Sequence, residues 1–176
     1  MVFNPRRHHR TSYRFKGHDY GSPGAYFVTA NCINGEHLFG EVVNGEMNLN
    51  ALGQIVYTQW YRTEAIRPNI TLGAFVIMPN HIHGIIIINE KREPSVKSIQ
   101  LLEPDGSSKK LISTSQTIGA IMRGFMGAVT SEINKFRGTP GDKIWQVNYW
   151  DRIIRTEKAY HKISAYILNN PKKWES

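Results

Sequence analysis

The stretch Ile70-Thr71-Leu72-Gly73-Ala74-Phe75-Val76-Ile77-Met78-Pro79-Asn80-His81-Ile82-His83-Gly84-Ile85-Ile86-Ile87-Ile88 decides the fold. Two apolar segments, Ile70 to Met78 and His81 to Ile88, meet at Pro79-Asn80. That pair favours a turn, so the segments read as consecutive antiparallel strands. Apolar residues occupy both parities of the second segment, which predicts a central strand covered on both faces. Alternation along a strand sends His81 and His83 to one side and Ile82 to the opposite layer.

Upstream, Ala25 to Ile33 is rich in β formers and follows Gly21-Ser22-Pro23-Gly24, which predicts a first strand. Asn44-Gly45 between Val42-Val43 and Met47-Asn48-Leu49 predicts a small hairpin ribbon. Asn50 is placed to cap a helix carrying Leu52, Ile55, Val56, Gln59 and Trp60 at helical spacing, with Pro68 beyond its end. Downstream, Asn89 to Gln116 is polar and rich in Pro, Ser and Lys, and reads as a long mobile insertion at about 89–116. A second helix fits Thr117 to Lys135, with Ile118, Ile121, Met122, Phe125, Val129 and Ile133 on one stripe, closed by Gly138-Thr139-Pro140-Gly141. A strand from Ile144 to Arg155 follows, then a helix from Glu157 to Asn169 capped by Thr156 and stopped by Pro171. The order strand, helix, strand, strand, helix, strand, with an appended helix, is that of the ferredoxin-like split βαβ arrangement. This predicts an α+β domain over 21–176, preceded by a basic arm over 1–20. Its antiparallel sheet should carry helices on one face, plus a C-terminal helix.

The chain has 176 residues, enough for one domain with a core that needs no staples. Its single cysteine, Cys32, excludes an intrachain disulfide and a cysteine-built zinc or iron–sulfur site, and fits a reducing cytosol. No apolar run, Ile85 to Ile88 included, is long enough to span a bilayer, so a soluble cytoplasmic protein is expected. Lys and Arg number 22 against 14 Asp and Glu, a net +8 that points to a polyanionic partner. Arg6, Arg7, Arg10, Arg14 and Lys16 crowd the N-terminal arm, and Lys158, Lys162, Lys172 and Lys173 the C-terminal end. Neither cluster alternates with a broad apolar face, which favours nucleic acid over a membrane surface.

His81 and His83 suit two ligands of one divalent ion; the alternative is a pair of polar residues at a strand start. Two unpartnered imidazoles entering a central strand would be costly, which brings the ion level with that alternative. Mg²⁺ or Mn²⁺ needs further oxygen ligands. Tyr166 and Asn170 stand one turn apart near the C-terminus, so a phenol and an amide oxygen could approach such an ion together. Otherwise Tyr166 is a packing residue and Asn170 a helix stop. Lys162, one turn before Tyr166, either favours the phenolate or is a solvated lysine. Trp145 and Tyr149 either pack in the core or stack on splayed bases. Glu132 is either a fourth metal ligand or part of a solvated face, and Tyr26 and Tyr160 default to the core.

Taken jointly, Met78-Pro79-Asn80-His81-Ile82-His83-Gly84-Ile85-Ile86-Ile87-Ile88, Ile144-Trp145-Gln146-Val147-Asn148-Tyr149-Trp150 and Tyr166-Ile167-Leu168-Asn169-Asn170-Pro171 resemble the single-tyrosine HUH transposases, in their REP-associated tyrosine transposase branch. The similarity runs from about Tyr26 to Trp174, and the insertion 89–116 is longer than in compact members. The resemblance implies a prokaryotic, nucleoid-associated endonuclease and strand transferase. Such an enzyme cuts and rejoins single-stranded DNA beside hairpins through a 5′-phosphotyrosine, with Mg²⁺ or Mn²⁺. Carried over, His81, His83 and Asn170 become metal ligands and Tyr166 the nucleophile. Independently of the resemblance, charge and aromatic character make Arg6, Arg7, Arg10, Arg14, Lys16, Trp145, Tyr149 and Lys162 the candidate contacts to DNA, and a homodimer is left open. A non-cleaving hairpin-binding module is the alternative, against which the intact His81, His83, Tyr166 and Asn170 argue. An RNA-binding domain of the RRM type lacks its Gly-Phe-Gly-Phe-like strand here.

Overall fold

A computed structural model describes residues 21–90, 100–102, 108–110 and 117–174. The Pro79-Asn80 turn joins strands β4 (Ile70–Met78) and β5 (His81–Ile88), with the bounds the sequence predicts. Strand β1 (Gly24–Asn31) pairs antiparallel with β5 on one side and with β8 (Trp150–Ile154) on the other. The resulting order β4-β5-β1-β8, antiparallel throughout, is that of the ferredoxin-like sheet. β5 is therefore central, as its unbroken apolar run requires.

Between β1 and β4 a ribbon forms from β2 (Gly40–Val43) and β3 (Glu46–Leu49). Its turn places Asn44 at φ 54° and Gly45 at φ 78°, the left-handed pair that Asn-Gly adopts at little cost. The Asn50 side chain accepts from the backbone N–H groups of Leu52 and Gly53 at 2.9 and 3.0 Å, starting α1 (Ala51–Ala65). Strands β6 (Gln100–Leu102) and β7 (Ser108–Lys110) pair within the insertion, where the sequence predicts a mobile segment and no strands. Thr117 caps α2 (Ile118–Arg137), and Gly138 at φ 69° ends it. Thr156 caps α3 (Glu157–Leu168).

The strand expected over 144–155 is shorter than predicted. Only Trp150–Ile154 pairs as a strand, while Ile144 and Trp145, adjacent in sequence, are both buried. Regular strand alternation would send one of them outward. They are instead held by single contacts to the end of β1, Ile33 N–H to Ile144 O and Gln146 N–H to Asn31 O.

Alternate residues of the sheet serve two layers. Tyr26, Val28, Ala30, Ile82, Ile86 and Ile88 face α1 and α2, packing with Val56, Trp60, Ile121, Phe125 and Val129. Trp60 stacks on Phe75 at 4.2 Å between ring centroids, and a Cβ on Gly84 would lie 2.5 Å from the Trp60 ring, so only glycine lets the helix approach. Phe27 and Ile85 point the other way, against Ile167, Ile163 and Tyr160 of α3. The expected face with helices is thus that of α1 and α2, and α3 partly covers the opposite one. The arm residues Arg6, Arg7, Arg10, Arg14 and Lys16 lie outside the described residues.

Candidate active site

The strand register carries one row of side chains across the sheet on the α3 face. Val76 pairs with His83, His83 with Thr29, and Thr29 with Trp150. His81 begins the same strand two residues earlier, opposite Asn31, and the two imidazole centroids lie 4.7 Å apart. Both rings are fixed from behind. His81 Nδ1 lies 2.7 Å from Asn80 Oδ1, an acceptor that requires Nδ1 to carry the proton. His83 Nδ1 lies 2.7 Å from Thr29 Oγ1. With the Nδ1 positions donating, each ring presents an Nε2 lone pair.

Burial disfavours the charged form of both histidines. His83, 7% exposed and beside the second imidazole, is lowered from the ordinary 6.5 to about 4. Near neutral pH both are neutral imidazoles, the form that ligates metal. Among the described residues no group of three His, Cys, Asp or Glu forms a metal cluster. A cation here would take its remaining ligands from amide, phenol, water or phosphate oxygen, a donor set suited to Mg²⁺ or Mn²⁺.

Helix α3 brings Tyr166 to this pair. Its apolar stripe, Tyr160, Ile163 and Ile167, packs on the sheet, and Tyr166 emerges beside it with its hydroxyl 3.3 Å from His83 Nε2. Tyr166 is 46% exposed, so its side chain can be reached from solvent. Phe27 supports the group from below, its ring edge-to-face with Tyr166 at 6.2 Å and 5.3 Å from His83. Asn170 follows one turn after Tyr166, half-buried at the start of a short 3₁₀ turn (Pro171–Lys173) that its side chain does not cap. That turn carries Trp174 to within 5.9 Å of the His81 ring and 5.5 Å of His37.

Sequence reasoning therefore finds His81, His83 and Tyr166, which the fold assembles, and Asn170, which it leaves at the adjoining helix end. Lys162 is exposed on α3. Trp145 is corrected as a DNA contact. It is buried between Phe39 and Phe125, and its indole N–H donates to Met126 O at 3.2 Å, so stacking on a base would mean dismantling the core. Tyr149 is half-buried against the same core. Of its two alternatives Glu132 takes the solvated face, exposed on α2, whose layer is across the sheet from the histidines. Tyr26 is core, as expected, its hydroxyl donating to Ser22 O at 3.0 Å. Sequence reasoning missed Thr29, Asn80, Phe27 and Trp150. Only Asn80, next to His81, carried a local signal; the others depend on strand register.

No family model matches the chain. An uncharacterized protein of Haemophilus influenzae is 43% identical over 174 residues, spanning 98% of this chain and 94% of its own. The solved structure of a REP-associated tyrosine transposase bound to a REP hairpin superposes with a TM-score of 0.59 at 21% identity. That match covers 93% of this chain and 73% of the transposase, and shows a shared fold. Among the described residues no helix is long and apolar enough to cross a membrane.

Proposed function

We propose that this chain, which belongs to one family with its Haemophilus influenzae relative and has the fold of a REP-associated tyrosine transposase, is a metal-dependent enzyme that cuts and rejoins single-stranded DNA. The observation that carries the reading is the meeting of the Tyr166 hydroxyl with His83 Nε2 at 3.3 Å, beside a second neutral imidazole.

His81 and His83, with Asn170 as the third protein ligand, would hold Mg²⁺ or Mn²⁺. When bound, the ion supplies Lewis-acid polarisation of the scissile phosphate. Thr29 and Asn80 hold the two rings so that neither turns away when the other nitrogens are engaged. Phe27 fixes the height of the tyrosine ring over the sheet. Tyr166 oxygen attacks phosphorus and loses its proton. The bond from phosphorus to the 3′ oxygen breaks, and that oxygen takes up a proton as a free 3′-OH. The 5′ phosphate remains esterified to Tyr166, so a 3′-OH can reverse the exchange and join strands without a nucleotide cofactor. The substrate class is single-stranded DNA next to a hairpin, matching the net charge of +8 and the partner in the solved transposase structure.

The test is a denaturing gel of the full chain incubated with a hairpin oligonucleotide carrying single-stranded flanks. A covalent protein–DNA species should form with Mg²⁺ or Mn²⁺, and should vanish in EDTA and in His81→Ala and His83→Ala. An adduct undiminished by EDTA overturns the metal part. Binding without any adduct overturns cleavage in favour of a hairpin-binding module.

A further inference from the structure

We propose that Trp150 and Arg152 form a stacking subsite for an unpaired DNA base, beside the phosphate engaged at His83 and Tyr166; this rests on the function proposed above. The register carries the argument. Trp150 lies in the same cross-sheet row as His83, with Thr29 between them, which places the two residues roughly 10 Å apart at two strand spacings. A nucleotide neighbouring a phosphate at the histidines can span that distance.

Trp150 is 46% exposed, whereas Trp60 and Trp145 are buried in the core. It opens β8, an edge strand, so one side of its position is unobstructed by further sheet. Phe27 contacts Trp150 at 5.6 Å and Tyr166 at 6.2 Å, both near-perpendicular, so one buried ring orients the indole and the phenol together. Arg152 pairs with Phe27 in the next row and is exposed on the same face. An exposed indole with a guanidinium two residues along the strand offers a base a π surface and its phosphate a charge, the pairing used to hold single strands.

Full-length wild type, W150A, W150F, W150L and R152Q are titrated with a short thymidine oligonucleotide, and with an abasic oligonucleotide of equal length that keeps the phosphates and removes every base. W150A should bind the thymidine strand between about five- and a hundred-fold more weakly, and the abasic strand as wild type does. W150F, which preserves an aromatic face and the contact with Phe27, should restore most of the loss, and W150L should not. R152Q should weaken binding to both strands and flatten the log–log salt slope by about 0.7. Equal binding of the thymidine strand by wild type and W150A, in a protein that still forms the adduct, overturns this subsite alone. Equal rescue by W150L and W150F overturns stacking, and an unchanged slope in R152Q overturns its phosphate contact. Wild type that binds neither strand overturns both this subsite and the function on which it rests.

Discussion

On one face of the sheet Val28, Ile82 and Ile86 are fully buried against Trp60, Phe125 and Val129. On the other, Phe27, Thr29 and His83, each one residue away from these in sequence, lie under a single helix with Tyr166 and Trp150 nearly half exposed beside them. The same backbone hydrogen bonds hold both faces. The difference is thickness of cover: two helices exclude water from one layer and let it be largely apolar, while one helix leaves polar groups that are desolvated yet reachable. Desolvation keeps the imidazoles neutral, and reachability would admit the phosphodiester of the proposed substrate. Stability should therefore reside mainly on the α1–α2 face and chemistry on the α3 face.

Phe125→Ala and Tyr166→Phe should separate the two most sharply. Phe125 is 1% exposed, and its truncation should cost about 3–5 kcal/mol in urea unfolding while adduct formed per folded molecule persists. Tyr166→Phe should abolish the adduct and change stability by less than about 1 kcal/mol, because only one long hydrogen bond is removed.

Acid should act through the α3 face. His83 titrates at about 4 when folded and near 6.5 when unfolded, so between those values the unfolded chain binds the extra proton. Stability is then fully present above about 6.5 and falls as the pH drops toward 4, by on the order of 3 kcal/mol, measured in chelator. His83→Gln should flatten that dependence; an equally steep profile in the variant would assign it elsewhere.

Glycines sharpen the packed side. Gly84→Ala drives a Cβ to 2.5 Å from the Trp60 ring and should destabilise by about 1–3 kcal/mol. Gly127→Ala, exposed on α2 with nothing within 4 Å, should stabilise by about 0.5–1 kcal/mol. A comparable loss at both positions would mean that the helix layer tolerates no change at all, rather than being tight under Trp60. Thr29→Val removes the partner of His83 Nδ1 while keeping the side-chain shape, and should weaken Mn²⁺ binding by about tenfold or more, with Thr29→Ser near wild type. The smallest effect belongs to Cys32, fully buried and raised to about 12 by desolvation, which should resist alkylation at pH 8 until the chain unfolds.

What the sequence discloses is local. The bounds of β4 and β5, the Asn44-Gly45 turn and the Asn50 cap each depend on a few adjacent residues, and the fold keeps them. The two histidines are legible because alternation alone puts them on one side. Tyr166 is legible through its spacing to Asn170 and through the joint pattern with the histidines. The burial of Trp145 and the places of Thr29 and Trp150 are not legible in the sequence for one reason: burial and cross-strand neighbours follow from register, which depends on residues far away in the chain. The burial of Trp145 also depends on Phe39 and Phe125, whose approach no local pattern reveals.

The most direct test of chemistry on the α3 face is to locate the covalent bond. The adduct formed with a hairpin oligonucleotide and Mn²⁺ is digested with protease and nuclease, and the nucleotide-bearing peptide is sequenced by mass spectrometry. The account predicts the modification on Tyr166, within the α3 peptide and on no other tyrosine. A nucleotide on Tyr149, Tyr57 or any tyrosine away from His83 would contradict it.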